Sequence, residues 1–163
     1  MRAPLAATGL RLRPMVTGDL AGVLKVEQRA YSFPWTRGNF IDSLAAGYLA
    51  ELLEDAQGEL AGYFVAMPGV DEMHLLNLTV APEWQRQGHA RRMLDELEAR
   101  CRALRVPTLW LEVRASNDRA RHVYRQRGFV EVGRRPRYYP AARGAREDAV
   151  VMRLAVAAGV DAP

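Results

Sequence analysis

Two titratable side chains and one short loop have the types and spacing that chemistry needs: Glu112, Tyr124 and the run Gln85-Arg86-Gln87-Gly88-His89-Ala90. Glu112 interrupts an apolar strand pattern. A carboxylate in partly apolar surroundings resists ionisation, which makes it a better base near neutral pH. Tyr124 falls on the inner side of the helix that follows. A strand that turns through a tight cap into a helix brings two such groups towards one cleft. Each also has a plain structural role open to it: Glu112 can face solvent or pair with Arg114 or another arginine, and Tyr124 can pack its ring in the core and wet its hydroxyl.

The loop joins an apolar strand to a strongly patterned helix. In the strand, Met73 to Val80, the residues Leu76, Leu78 and Val80 alternate with Asn77 and Thr79, as a pleated chain requires. Ala81-Pro82 stops it. In the helix, Ala90, Met93, Leu94, Leu97, Cys101 and Leu104 line one face, with Arg91, Arg92, Asp95, Glu96, Glu98 and Arg102 on the other. Gly88 and Ala90 are small enough to let a ligand approach the backbone. The N–H groups at the helix start, with the helix dipole, favour an anion such as a pyrophosphate, and these residues leave the anion's identity open. Neither Gly-x-Gly-x-x-Gly nor Gly-x-x-x-x-Gly-Lys-Ser/Thr is present, and a structural turn with a surface arginine is the competing reading.

With 163 residues, 49% of them hydrophobic and 26% charged, the chain is sized for one domain with a full core. The expected organisation is a flexible leader over residues 1–9, a single domain over 10–156 and a fraying tail over 157–163. No apolar run is long enough to span a bilayer, and Met1 to Gly9 lacks the apolar core of a signal peptide, so a cytoplasmic protein with no membrane partner is expected. The lone Cys101 sits on the apolar helix stripe, a packing position rather than a nucleophile's. His74, His89 and His122 are too scattered for metal ligation, and no metal is expected. The net charge of +4 is unevenly shared: residues 1–80 carry six basic and nine acidic side chains, residues 81–163 seventeen and ten. The second half therefore suits a phosphorylated ligand. No nucleic-acid motif accompanies the charge, so direct nucleic-acid binding is not required.

The chain in order reads as β-α-α-β-β-β-α-β-α-β-β. Leu10 to Arg13 is a first strand, and Thr17-Gly18-Asp19 caps a helix running to about Ala30. Tyr31-Ser32-Phe33-Pro34-Trp35-Thr36 is an aromatic loop that either pins two helices or lines a peptide pocket. A second helix follows near Arg37 to Ala45. Tyr48 to Glu54 and Leu60 to Met67 form a hairpin about Asp55-Ala56-Gln57-Gly58. After the central strand and helix come a strand Thr108 to Arg114, a helix capped by Asn117-Asp118 and ended by Gly128, and strands Phe129 to Val132 and Ala149 to Val156. This is an α/β domain with a mixed sheet whose longest helix crosses between two parallel strands.

The loop Gln85 to Ala90 resembles the acetyl-coenzyme A signature, Gln/Arg-x-x-Gly-x-Gly/Ala, of the Gcn5-related N-acetyltransferases (GNAT). The likeness narrows with Leu109-Trp110-Leu111-Glu112-Val113-Arg114-Ala115-Ser116-Asn117, then Val123-Tyr124 and Gly128-Phe129, to the bacterial ribosomal-protein-alanine (RimI-type) group. Glu27-Gln28-Arg29-Ala30 with Phe33-Pro34-Trp35, Arg135 with Tyr138-Tyr139-Pro140, and Glu147-Asp148-Ala149 with Met152 extend it over most of residues 20–154. The resemblance implies a central, mostly antiparallel twisted sheet of about six to seven strands flanked by about four helices. It implies acetyl-CoA as cosubstrate, with backbone groups of Leu78, Thr79 and Val80 along its pantetheine arm, Arg86, Gln87, Gly88, His89, Ala90 and Arg91 at its pyrophosphate, and Asn117 at the coenzyme arm. Glu112 would be general base and Tyr124 general acid. The acceptor would be the N-terminal alanine of a small-subunit ribosomal protein, or another protein N-terminus, in a groove walled by Tyr31, Phe33, Trp35, Arg135, Tyr138 and Tyr139. Tyr138-Tyr139 finishing a strand at the sheet edge is the plainer alternative. A small-molecule amine acetyltransferase and a non-catalytic acetyl-CoA-binding module are the rival functions.

Overall fold

The computed structural model describes residues 9–157. The leader and tail lie outside the described residues, save Gly9 and Ala157. The strands are β1 (Arg11–Pro14), β2 (Leu49–Glu54), β3 (Leu60–Gly69), β4 (Glu72–Val80), β5 (Thr108–Arg114), β6 (Val130–Pro140) and β7 (Arg146–Ala155). The helices are α1 (Leu20–Ala30), α2 (Arg37–Ala45), α3 (His89–Ala103) and α4 (Asp118–Arg127). The strands form one sheet in the order β1-β2-β3-β4-β5-β7-β6. Its β4–β5 pair is parallel, whereas β1–β2, β2–β3, β5–β7 and β6–β7 are antiparallel. The mixed, mostly antiparallel α/β sheet with four helices is the one expected.

The chain clusters into two compact units, one of residues up to 67 with 77–97, the other of 68–76 with those from 98 on. In the first unit, Thr36 caps α2: its hydroxyl accepts the Asn39 N–H, and the Asn39 side-chain oxygen accepts the Thr36 N–H. The hairpin turn is held by Asp55, whose carboxylate accepts the N–H groups of Gln57 and Glu59. Phe40, Tyr63, Phe64, Met93, Leu94 and Leu97 are fully buried. Each such side chain stabilises the fold by about 1.5–3 kcal/mol. Gly62 matters because a Cβ there would stand 2.6 Å from the Thr79 carbonyl oxygen and 3.0 Å from Met93 Cε.

The alternation expected along β4 is present, but the buried face is the opposite one. Asn77 and Thr79 are buried while Leu78 and Val80 are half-exposed, and Leu76 is exposed. The reason is a polar network, described below, that gives Asn77 and Thr79 partners inside the protein.

In the second unit, β5 turns Leu109, Leu111 and Val113 inward and leaves Trp110, Glu112 and Arg114 half-exposed. Asn117 accepts the Ala120 N–H at 3.1 Å to cap α4, and Gly128, at φ 111°, ends it. Both closing strands exceed their expected bounds. β6 was expected to stop at Val132 but runs to Pro140, and β7 begins at Arg146 rather than Ala149. Register shifts between Glu131 and Gly133 and between Arg135 and Tyr139 let β6 continue past Gly133 and Pro136 while staying paired with β7. Leu104, expected on the helix stripe, lies beyond the end of α3 and is 59% exposed.

Candidate active site

The first unit holds the loop expected to cradle an anion. A turn of 3-10 helix, Pro82–Trp84, leads out of β4, and Gln85 donates its side-chain amide to the Val80 carbonyl at 3.2 Å, tying the loop to the strand. Arg86 and Gly88 both take left-handed backbone, φ 63° and 83°. That conformation is natural to glycine and uncommon for arginine. Left-handed residues in a turn are the setting in which backbone N–H groups can converge on an anion. Nothing lies within 4 Å of the place a Cβ would occupy at Gly88, so the backbone there is open to a ligand. The Arg92 N–H donates to the Gly88 carbonyl at 3.1 Å, which leaves the N–H groups of His89 and Ala90 ahead of the first helical hydrogen bond. Arg86 is exposed and, among the described residues, makes no ion pair. These features fit a pyrophosphate.

His89 turns its ring away into the protein, so only its main chain is offered at the loop. Its ring is buried edge-on against Trp84, at 5.5 Å and 63°, and burial followed by the nearby Arg92 charge lowers its pKa. Arg91 stands exposed on the first turn of α3, and the Gln87 side chain donates back to the Glu83 carbonyl at 3.2 Å.

The aromatic loop divides between its two readings. Trp35 packs on Phe40 at 5.0 Å, and Phe40 meets Tyr63 edge-on at 5.8 Å, so Trp35 pins the loop to α2 and the core. Phe33 stays 44% exposed, and Tyr31 exposes its ring while its hydroxyl reaches the Leu78 carbonyl and Thr79. Burial raises the Tyr31 phenol to about 12.

The second unit gathers Glu112, Arg135, Tyr138 and Tyr139. The long β6 carries Arg135 back to β5, where its Nε meets Glu112 Oε1 at 3.0 Å; the Glu112 side chain keeps 25% exposure. The Arg135 guanidinium also lies over the Tyr138 ring at 5.3 Å. Tyr138 and Tyr139 pack edge-on at 4.9 Å, and Arg114 covers the Tyr139 ring at 4.7 Å. Burial chiefly, then the Glu112 charge and a hydrogen bond to it, raises the pKa of Tyr138; burial and Glu112 likewise raise Tyr139. The partly apolar surroundings expected for Glu112 are therefore replaced on one side by an arginine. Arg114 is not that arginine: it donates to Glu147 at 2.9 Å and to the Pro140 carbonyl at 2.7 Å. The Arg114 guanidinium, and then the Ser116 hydrogen bonds, hold the Glu147 carboxyl below its usual range. Tyr124 stands on α4, edge-on to Phe129 at 5.5 Å. The Asn117 side-chain oxygen is committed to the cap of α4, which leaves its amide N–H groups for any ligand. Among the described residues no group of His, Cys, Asp and Glu could hold a metal ion, and no helix is long and apolar enough to cross a membrane.

One buried polar cluster was given no role in the sequence reading. Glu27, buried on α1, binds Tyr63, Asn77 and the Trp35 N–H. The sequence marks Glu27 in the run Glu27-Gln28-Arg29-Ala30, and as a polar residue on the apolar side of α1, one position after Val26 and four after Val23, but neither says what it binds.

The model of the acetyltransferase (GNAT) family matches residues 20–129. The [ribosomal protein bS18]-alanine N-acetyltransferase of Escherichia coli (strain K12) is 40% identical over 140 residues, 86% of this chain and 93% of that protein. Its counterpart in Haemophilus ducreyi is 36% identical over 143 residues, 88% of this chain and 98% of that protein. The crystal structure of the ribosomal-protein-S18-alanine N-acetyltransferase from Escherichia coli superposes with a TM-score of 0.84 at 37% identity, covering 94% of this chain and 99% of that one. The strand-loop-helix of the anion cradle, the carboxylate on β5 and a family match spanning both together place the chain in the acetyltransferase (GNAT) family.

Proposed function

We propose that this protein transfers the acetyl group of acetyl-CoA to the N-terminal α-amine of a protein, with the N-terminal alanine of a small-subunit ribosomal protein as its acceptor. The observation that carries the acceptor is 40% identity along nearly the whole length of an Escherichia coli enzyme named for bS18 alanine. In this reading the cosubstrate's pyrophosphate is held by the main chain from Gln87 to Arg91 and by Arg86, its pantetheine arm by main-chain groups of Leu78, Thr79 and Val80, and its coenzyme arm by the Asn117 amide. The peptide-contacting residues in this reading are Tyr31 and Phe33, held by Trp35, together with Arg135, Tyr138 and Tyr139.

The chemistry follows from an amine meeting a thioester. A peptide α-amine has a pKa of about 8 and must lose a proton before it attacks. Glu112, directly or through one water, takes that proton. Arg135 competes for the same carboxylate, and its solvent-exposed side chain can yield to an incoming ammonium. The amine forms a bond to the acetyl carbonyl carbon, and an N–H of the central strand, that of Val80, stabilises the oxyanion. The carbon–sulfur bond then breaks, and Tyr124 protonates the departing thiolate. No acetyl-enzyme is involved, in keeping with Cys101, which is buried and whose thiol burial pushes up to about 11.

Mass spectrometry after incubation with acetyl-CoA tests the proposal on peptides beginning with alanine, serine or methionine, an N-blocked lysine peptide and a polyamine. Modification of free peptide N-termini, strongest for alanine, is expected. Modification of the polyamine alone would move the protein to the small-molecule class, and bound acetyl-CoA with no product would make it a binding module.

A further inference from the structure

Glu27 is 1% exposed, and among the described residues no arginine or lysine pairs with it. A buried carboxylate without a cation costs stability unless hydrogen bonds compensate, so its retention calls for a purpose. Its oxygens accept three donors: Tyr63 O–H at 2.6 Å, Asn77 Nδ2 at 3.0 Å and the Trp35 main-chain N–H at 2.9 Å. Because the Asn77 amide nitrogen donates to Glu27, its oxygen is left to accept, and Thr79 O–H donates to it at 2.7 Å. The Thr79 proton is then spent on Asn77, so the Tyr31 hydroxyl is the donor between the two and shares its one proton between Thr79 Oγ1, 2.8 Å away, and the Leu78 carbonyl, 3.1 Å away. The chain thus has one direction, from Tyr31 through Thr79 and Asn77 to Glu27. It begins and ends on the same aromatic loop, at Tyr31 and at Trp35, and passes through β4 between them. Burial and the Glu27 charge both disfavour ionisation of Tyr63, which keeps it a donor.

We infer that Glu27 is a positioning residue for the peptide acceptor: it fixes the Tyr31–Trp35 loop against β4, so that Tyr31 and Phe33 are held ready for the peptide. This rests on the reading of that loop as the peptide wall. Glu27 itself touches no reacting atom.

Glu27→Gln tests it. Glutamine keeps one oxygen for Tyr63 and Asn77 but turns an NH2 group against the Trp35 N–H, donor to donor, and so releases the loop. Steady-state kinetics on the alanine-terminated peptide should show a peptide KM raised about tenfold or more, with kcat within about threefold and acetyl-CoA affinity, measured by calorimetry, within about twofold. Tyr63→Phe is the second variant, for the case in which Glu27→Gln does not fold. It removes the 2.6 Å donor without changing shape, and should raise the peptide KM several-fold. A peptide KM within twofold of wild type in a folded variant overturns the inference, and so does a collapse of kcat at unchanged KM, which would put Glu27 in the chemistry. Wild-type protein that acetylates no peptide brings down the proposed function and this inference with it; wild-type activity with indifferent variants brings down the inference alone.

Discussion

Replacing Gly62 by alanine tests how tightly β4 is held where it is proposed to receive the cosubstrate. The added Cβ would stand 2.6 Å from the Thr79 carbonyl oxygen, 3.0 Å from Met93 Cε and 3.5 Å from Met93 Sδ. The methionine end can swing away, since its side chain is flexible. The carbonyl is main chain, and a contact at 2.6 Å must open by about 0.4 Å or more before it is tolerable, so β3 or β4 has to move. Overpacking of this kind costs about 1–3 kcal/mol. Alanine gives back up to about 1 kcal/mol by restricting the unfolded chain. Because main chain has to move, the cost lies in the upper part of that range, about 2–3 kcal/mol, and less about 1 kcal/mol the net loss is about 1–2 kcal/mol, or a fall of about 2–8 °C in Tm for a chain of this size. Urea unfolding should show a lower midpoint at unchanged slope, and the acetyl-CoA KM should rise because the shift passes through Thr79. Stability equal to or above wild type would refute the argument, for it would mean that the Thr79 carbonyl is free to retreat.

Glu112→Gln should lower kcat about 10²–10⁴-fold, the usual worth of a positioned base, with little change in acetyl-CoA affinity by calorimetry. Arg86→Ala should raise the acetyl-CoA KM about tenfold at nearly constant kcat, as loss of one charge-assisted phosphate contact would. Arg13 binds Glu54 at 2.7 Å and Asp19 at 2.7 Å, and holds both carboxyls below their ordinary values of 4.5 and 3.8. Groups with depressed folded-state pKa values stabilise the fold above those ordinary values, and the stabilisation is lost as pH falls through the folded ones. Wild type should therefore lose Tm below about pH 4.5, and Arg13→Ala should lose about 1–2 kcal/mol at pH 7 while showing a shallower acid fall.

Periodicity made the helices and inner strands legible. The stripe through Met93, Leu94, Leu97 and Cys101 is buried as the spacing requires, and the bounds of α2 and the cap at Asn117 match. The buried face of β4 was not legible, because hydropathy ranks Leu78 above Asn77 and Thr79, and nothing local announces that Glu27, fifty residues earlier in the chain, supplies their hydrogen bonds. β6 hid for another reason. Every residue from Val130 to Tyr138 is exposed, so no apolar alternation marks the strand, and Gly133 and Pro136 look like breakers. With β6 cut short, the pairing of Arg135 with Glu112 could be stated only as some arginine. The place of His89 in the motif does not show where its ring points, and the ring packs against Trp84. The strand-loop-helix from β4 to α3 was legible because a proline turn and small residues at a helix start are visible in a sequence.

The most direct test of the central claim compares kcat/KM for acetyl transfer to an alanine-terminated peptide, the same peptide N-blocked but with an internal lysine, and a polyamine, for wild type and Glu112→Gln. The account predicts a strong preference of the wild type for the free alanine terminus, and loss of that activity in Glu112→Gln with acetyl-CoA still bound. Equal turnover of the polyamine, or an undiminished Glu112→Gln enzyme, would contradict it.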